Sequence, residues 1–141
     1  MDAKVIWKSG MSFDGIGGSG FSLPMGTSVA SGGKGDGFSP MELLLVGLAG
    51  CTAMDVISIL EKKRQEVTAF EVRVQGERAD EHPRVFKEIT IEFMVTGRNV
   101  DALAVERAVE LSSTKYCSAE AMLGKVAHIA HKITILEAEV E

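Results

Sequence analysis

The segment SPMELLLVGLAGCTAMDVISILEKKR, residues 39–64, constrains this chain more than any other stretch. Ser39 is a good N-cap, Pro40 suits the first helical position, and Glu42 lies three residues past the cap, which makes a capping box. The apolar run ends in the cationic Lys62, Lys63 and Arg64, which complement a helix C-terminus. The spacing therefore predicts a helix over about 40–64. Its first half is apolar on every side, so burial on every side is expected. Glu42 and Asp55 leave twelve uncharged residues between them. A bilayer span needs about 20 apolar residues, so a buried helix in a soluble protein, or at a subunit contact, is the expectation. Gly47, Ala49, Gly50 and Ala53 lack bulk. A glycine inside a helix costs about 1 kcal/mol relative to alanine, so this pair calls for a packing reason, the close approach of another backbone.

The remaining pattern is that of an α+β domain. KVIWKS (4–9), SFDGIG (12–17) and the weaker GFSLPMG (20–26) read as strands, and SGGKGDG (31–37) as a flexible loop. That loop resembles a phosphate cradle only in composition: no buried strand precedes it and no Gly-Lys-Ser/Thr follows. FEVRVQGE (70–77) and KEITIEFMV (87–95) alternate with period two, placing Ile89, Ile91, Phe93 and Val95 on one face of an antiparallel hairpin. Residues 101–114 form an amphipathic helix with Ala102, Val105 and Val109 as its stripe and Asn99 or Asp101 as its cap. Ser118 reads as the N-cap of a short last helix. Residues 126–140 close the chain as a strand with Ile129, Ile133 and Ile135 inward. Helices on an antiparallel sheet, with no repeat or composition break to divide the chain, give one domain over 1–141.

Composition narrows the function classes. The 141 residues carry 15 Lys and Arg against 20 Asp and Glu, a net charge of −5, so no basic footprint points to nucleic acid or an anionic membrane. The N-terminus MDAKVIWKSG has no apolar leader region, and a cytoplasmic location is expected. In a reducing compartment, the two cysteines are not expected to form a structural staple.

Those cysteines, Cys51 and Cys117, are the candidate reactive groups. Cys51 sits mid-helix, where the dipole helps a thiolate little, with Asp55 one turn on. Its bland reading is a small buried core residue. Cys117 precedes a helix N-terminus and lies two residues from Lys115; both features favour a thiolate. Its bland reading is a cysteine in a turn. At 66 residues apart they form neither a CxxC pair nor a metal knuckle. His128 and His131 point to opposite faces of a strand, and His82 sits in a polar turn, so no metal site is expected. His131 shares parity with the inward isoleucines and reads as a hydrogen-bonded core or rim histidine. Glu42 already serves as the capping-box acid. Nine residues at about 100° each set it opposite Cys51 on a straight helix.

SPMELLLVGLAGCTAMDV followed by VERAVELSSTKYCSAEAML resembles the OsmC/Ohr family, the osmotically inducible and organic hydroperoxide resistance proteins. The order of elements is similar along nearly the whole chain. The resemblance implies an intertwined homodimer with paired central helices and active sites at the subunit interface. It also implies a thiol-dependent peroxidase that uses no cofactor. Cys51 would attack an organic hydroperoxide and become a sulfenic acid, Cys117 would resolve it to a disulfide, and a dithiol would restore both thiols. Glu42 is the candidate acid of that site. The chain departs from the family pattern at two points. Peroxidase members carry an activating arginine in the N-terminal strands, but the first arginine here is Arg64; Lys34 is the candidate substitute cation. They also place a glutamate ten residues before the first cysteine, where this chain has Met41 and Glu42 follows by one. The alternative reading is therefore a non-catalytic dimeric stress protein that binds a small apolar or thiol-reactive ligand between subunits. Local electrostatics and the family roles also disagree, because the former favour ionisation of Cys117 and the latter make Cys51 the attacking thiolate.

Overall fold

A computed structural model describes residues 1–140 of the chain. They form two compact units, Met1–Leu44 and the chain from Leu45 onward.

The first unit is a three-stranded antiparallel sheet of β1 (Ala3–Ser9), β2 (Ser12–Gly17) and β3 (Ser22–Met25), in the order β1-β2-β3. Gly10, at φ +52°, makes the tight turn between the first two strands, a conformation that costs glycine little. The sheet leaves Val5, Ile6 and Trp7 exposed. The glycine-rich loop folds back on it: Gly35 N–H donates to Thr27 O at 2.9 Å, and Ser12 Oγ donates to Asp36 Oδ2 at 2.7 Å. That bond, from a buried serine, holds the Asp36 carboxyl below its ordinary pKa. Lys34 stands exposed in the same loop.

Helix α1 (Pro40–Lys62) starts with the expected capping box. Glu42 Oε1 accepts from Ser39 N–H at 2.8 Å, and Ser39 Oγ accepts from Glu42 N–H at 3.3 Å. The helix closes two residues short of the expected end. Arg64 turns left-handed at φ +56°, and Gln65 N–H reaches back to Leu60 O at 3.0 Å, a Schellman ending.

The second unit sets β4 (Glu66–Arg78), β5 (Phe86–Arg98) and β6 (His128–Glu137) in one sheet, ordered β4-β5-β6. The hairpin β4–β5 is antiparallel as expected, but β6 runs parallel to β5, with Ile89 opposite Ile129 and Val95 opposite Ile135. The expected purely antiparallel sheet is therefore corrected to a mixed one. The physical reason lies in the connection. A helical crossover of some 30 residues, holding α2 (Ala102–Leu111), a π-helical turn (Ser112–Tyr116) and α3 (Ser118–Leu123), returns the chain to the same end of the sheet.

The buried face of β5 is the predicted one: Ile89, Ile91, Phe93 and Val95 are all at most 1% exposed. Leu45 of α1 closes over this sheet near Gly76, where an added Cβ would meet the Phe86 ring at 2.6 Å and Leu45 Cδ2 at 3.3 Å. Asp101 caps α2 by accepting from Leu103 N–H. The buried stripe of α2 is Ala104, Val105, Ala108 and Val109, while Ala102 is exposed.

The expected all-round burial of α1 is not met within one chain. Only Leu48, Thr52, Val56 and Leu60 are buried, a single stripe at intervals of four. Val46 and Met54 stay 55% and 73% exposed, and a Cβ added at Gly47 or Gly50 would meet nothing within 4 Å. By length and composition alone, α1 also passes as a membrane span.

Candidate thiol site

Three elements of the second unit converge on the two cysteines. Cys51 lies on α1, Cys117 at the junction of the π-helical turn with α3, and Ser112 at the end of α2 links them. Ser112 is fully buried, and its Oγ donates to Asp55 Oδ2 at 2.9 Å. A hydroxyl has one proton, so the 2.8 Å bond between Ser112 Oγ and the fully buried Thr52 Oγ1 must carry the threonine proton. The same Ser112 accepts at its carbonyl from Cys117 N–H at 2.8 Å, five residues on, which is the π-type bond. One residue thus grips the neighbour of Cys51 with its side chain and Cys117 with its backbone. The two thiols are free and are neighbours in the fold, the Cys51 sulfur being one of the groups that raise the Cys117 thiol. Cys51 is partly accessible, whereas Cys117 is 3% exposed.

The N-cap of α3 is Cys117 itself, not Ser118 as expected. Its Sγ accepts from Glu120 N–H at 3.3 Å. The local argument that Cys117 is the more readily ionised thiol is overturned as well. Burial pushes it up to about 12, against an ordinary 9.0. The Glu120 N–H bond works the other way, while the Cys51 sulfur and the Glu120 charge add to the rise. Lys115 lies over the Tyr116 ring, 5.2 Å from its centroid. A nearby cation and a helix end are visible in the sequence, whereas the desolvation that outweighs them comes only with the fold.

Glu120 is the buried charged residue of this site that sequence reasoning missed. Its side chain is 7% exposed. Oε1 accepts from Ser113 Oγ at 2.8 Å and pairs with His131 Nε2 at 2.6 Å, whereas the buried Oε2 has no partner. Burial raises its pKa, but the bonds from His131 and Ser113 and the His131 charge outweigh this and hold the carboxyl below its ordinary range. The signal in the sequence was the Cys-Ser-Ala-Glu spacing, a capping-box interval with cysteine as the cap. His131 is the expected rim histidine, its side chain 27% exposed and stacked on Phe93 at 6.3 Å between centroids. His128 faces away to pair with Glu88 at 2.9 Å. Among the described residues, no group of three or more His, Cys, Asp or Glu is placed to hold a metal ion. Glu42 sits in the first turn of α1, with one oxygen engaged by the cap.

A family profile described as OsmC-like protein matches residues 33–132. Protein YhfA of Escherichia coli K12 is 44% identical over 139 residues, which cover 98% of this chain and all of that one. A hypothetical protein from Aquifex aeolicus superimposes with a TM-score of 0.86 at 32% identity, covering 98% of this chain and 97% of its own. An organic hydroperoxide resistance protein OsmC from Legionella pneumophila superimposes with a TM-score of 0.73 at 15% identity, over 94% and 95% of the two chains; this last likeness concerns the fold alone.

Proposed function

The chain belongs to the OsmC-like protein family, and from that premise we propose that it is a thiol-dependent peroxidase acting on organic hydroperoxides. The observation that carries the reading is that two free thiols, remote in sequence, are neighbours in the fold, the Cys51 sulfur bearing on the Cys117 thiol. Their unequal exposure supports the division of roles. The partly accessible Cys51 attacks the terminal peroxide oxygen, the O–O bond breaks, and the alcohol leaves with a proton. Cys51 is now a sulfenic acid. The sulfur of the sheltered Cys117 attacks it, the S–S bond forms, and the hydroxyl leaves with the Cys117 proton as water. A dithiol then reduces the disulfide by exchange. Every electron comes from a thiol, so no cofactor enters. Glu42 joins the site on the family resemblance, with Oε1 retained by the cap.

The working unit we infer is a homodimer paired through α1. Exposed Val46 and Met54, with Gly47 and Gly50 open to space, present an apolar, close-packing face that a second copy would cover. The same burial accounts for the apolar length of α1 in a cytoplasmic protein. We also read the chain as one functional domain, because the matched family region runs across the boundary between its two compact units.

The deciding experiment is mass spectrometry of the reduced protein after one equivalent of cumene hydroperoxide. The expected product is a Cys51–Cys117 disulfide. Two free thiols, or Cys51 oxidised to sulfinic acid beside an untouched Cys117, would refute the cycle. Binding of a small apolar ligand, with thermal stabilisation that survives replacement of both cysteines by serine, would support the non-catalytic alternative; the empty place of the family arginine is what favours it.

A further inference from the structure

The cycle just described leaves one proton without a carrier. Cys51 must give up a proton to become the attacking thiolate, and the alcohol must take one as the O–O bond breaks, because an alkoxide is too basic to depart alone. A carrier must stand beside Cys51, be held still, and keep a lone pair open. Asp55 meets all three conditions. Helix α1 runs unbroken from Pro40 to Lys62, so Asp55, four residues after Cys51, lies one turn on along the same face, with about 5–6 Å between their Cβ atoms. A helical side chain leans toward the N-terminus and covers the turn before its own, which for Asp55 is the turn that begins at Cys51. The fully buried Ser112 fixes the carboxylate by donating to Oδ2 at 2.9 Å, and Ser112 is itself held by Thr52, the next residue after Cys51. Among the described residues Ser112 is its one partner, so Oδ1 stays open. The half-buried carboxylate lines a cleft of about 400 Å³ whose walls include Met54, Ile59, Leu111 and Tyr116, room for the apolar body of an organic hydroperoxide. The other polar groups of this cleft are worse suited. Lys62 lies two further turns along α1, and the hydroxyls of Ser58 and Tyr116 give up a proton far less readily than a carboxyl group.

We propose that Asp55 is a catalytic residue of the peroxide step, carrying the Cys51 thiol proton to the departing alkoxide. The inference rests on the peroxidase reading. The Asp55 carboxylate takes the proton of the Cys51 S–H. The thiolate attacks the terminal peroxide oxygen, the S–O bond forms, and the O–O bond breaks with its electron pair going to the inner oxygen. That oxygen takes the proton from Asp55 and leaves as the alcohol. Cys51 is oxidised to the sulfenic acid, the peroxide is reduced, and the carboxylate is restored, so the balance of the step is unchanged. Ser112 is a positioning residue in this scheme, because it aims the carboxylate and does not meet the substrate.

The test compares three reagents that differ in what they expel. Cumene hydroperoxide expels an alkoxide, which needs a proton; peracetic acid expels acetate and iodoacetamide expels iodide, which need none. Loss of the free Cys51 thiol in the reduced, full-length protein is followed at neutral pH by quenched-flow peptide mass spectrometry. Asp55→Asn keeps an acceptor for Ser112 and removes the proton carrier. It should slow the reaction with cumene hydroperoxide by tenfold or more, since general acid–base groups typically contribute about 10²–10⁴-fold. Its reactions with peracetic acid and iodoacetamide should keep at least a third of the parent rate. Equal slowing with all three reagents would mean that Asp55 only positions the thiol, and would overturn the proposal, as would undiminished reaction with cumene hydroperoxide. Asp55→Ala is read in the same way and decides the matter if Asp55→Asn fails to fold. A parent protein that loses no Cys51 thiol to cumene hydroperoxide ends the peroxidase reading and this proposal with it. A parent that is oxidised rapidly, with Asp55→Asn keeping pace, ends this proposal alone.

Discussion

Replacing Ser112 by alanine removes the one hydroxyl that ties α1 to the turn bearing Cys117. Two bonds go with it: the charge-assisted one to Asp55 at 2.9 Å and the neutral one from Thr52 at 2.8 Å. The first is worth about 1.5–3 kcal/mol and the second about 1, and Thr52, fully buried, has no water to turn to. A loss of about 2–4 kcal/mol is therefore expected in the reduced protein. At about 2–4 °C per kcal/mol for a chain of this size, the melting temperature should fall by roughly 5–15 °C. Urea unfolding at one fixed protein concentration, with a thiol reductant present, is the appropriate assay, because any self-association makes the midpoint concentration-dependent. Thr52→Val leaves the bond between Ser112 and Asp55 in place and should cost about 1 kcal/mol. The double variant should show coupling, since the two residues share one proton chain. The Cys117 N–H bond to the Ser112 carbonyl survives, so α3 still forms, but the thiols are no longer held at a fixed approach. Peroxide-driven disulfide formation should slow by tenfold or more. A Ser112→Ala protein within 0.5 kcal/mol of the parent would refute the claim that this network clamps the thiol site.

Val46→Glu places a charge on the uncovered face of α1 and should disrupt the proposed dimer, giving a monomer by sedimentation analysis; a dimer that persists would place the subunit contact elsewhere. Cys117 holds in the folded state a proton that the unfolded chain releases near pH 9, so reduced protein should lose stability as pH rises from about 9 toward 12. Cys117→Ala should flatten that slope in denaturant titrations; an equal slope would contradict the burial of the thiol. Glu42→Gln keeps an acceptor for Ser39 N–H and should leave unfolding unchanged while slowing oxidation of Cys51 severalfold, measured by quenched-flow alkylation. Unchanged oxidation would leave Glu42 as a cap alone. Phe93→Ala, in the centre of the buried β5 face, should cost about 3–5 kcal/mol by thermal unfolding.

What could be read from the sequence divides along a physical line. Local rules placed the capping box at Ser39 and Glu42 and the inward face of β5, and narrowed the α2 cap to Asn99 or Asp101, of which the fold uses Asp101, because each depends on residues within a few positions of one another. The parallel pairing of β6 escaped, since a strand's direction is set by the helical crossover before it and not by its own alternation. The burial of Cys117 and Glu120 escaped for a related reason. Lys115 and a helix N-terminus are visible in the sequence and argue for ionisation, whereas desolvation comes from α1 and β6, which only the fold brings there. Glu120 reads in isolation as an ordinary first-turn acid on a short helix. Only the fold shows that its carboxylate faces inward, toward a histidine eleven residues on.

The same line explains why the burial that α1 asks for is only half supplied by one chain. Its composition asks for burial on every side, and a single copy buries only the stripe from Leu48 to Leu60. Two interior glycines sacrifice about 1 kcal/mol each of helix stability with nothing packed against them. A sequence under no further constraint would place alanine at both positions, because alanine favours the helix and would clash with nothing in the chain. Their presence is therefore better explained by a surface that must accept another backbone than by the fold of one subunit. That argument also protects the thiol. With a second copy over α1, Cys51 would be approached only through what the interface leaves open, and an apolar rim would favour an organic peroxide over a small polar one. Gly47→Ala and Gly50→Ala should then stabilise an isolated subunit yet weaken association. Should both substitutions strengthen the dimer, the glycines are not there for close approach, and the interface must be sought on another face.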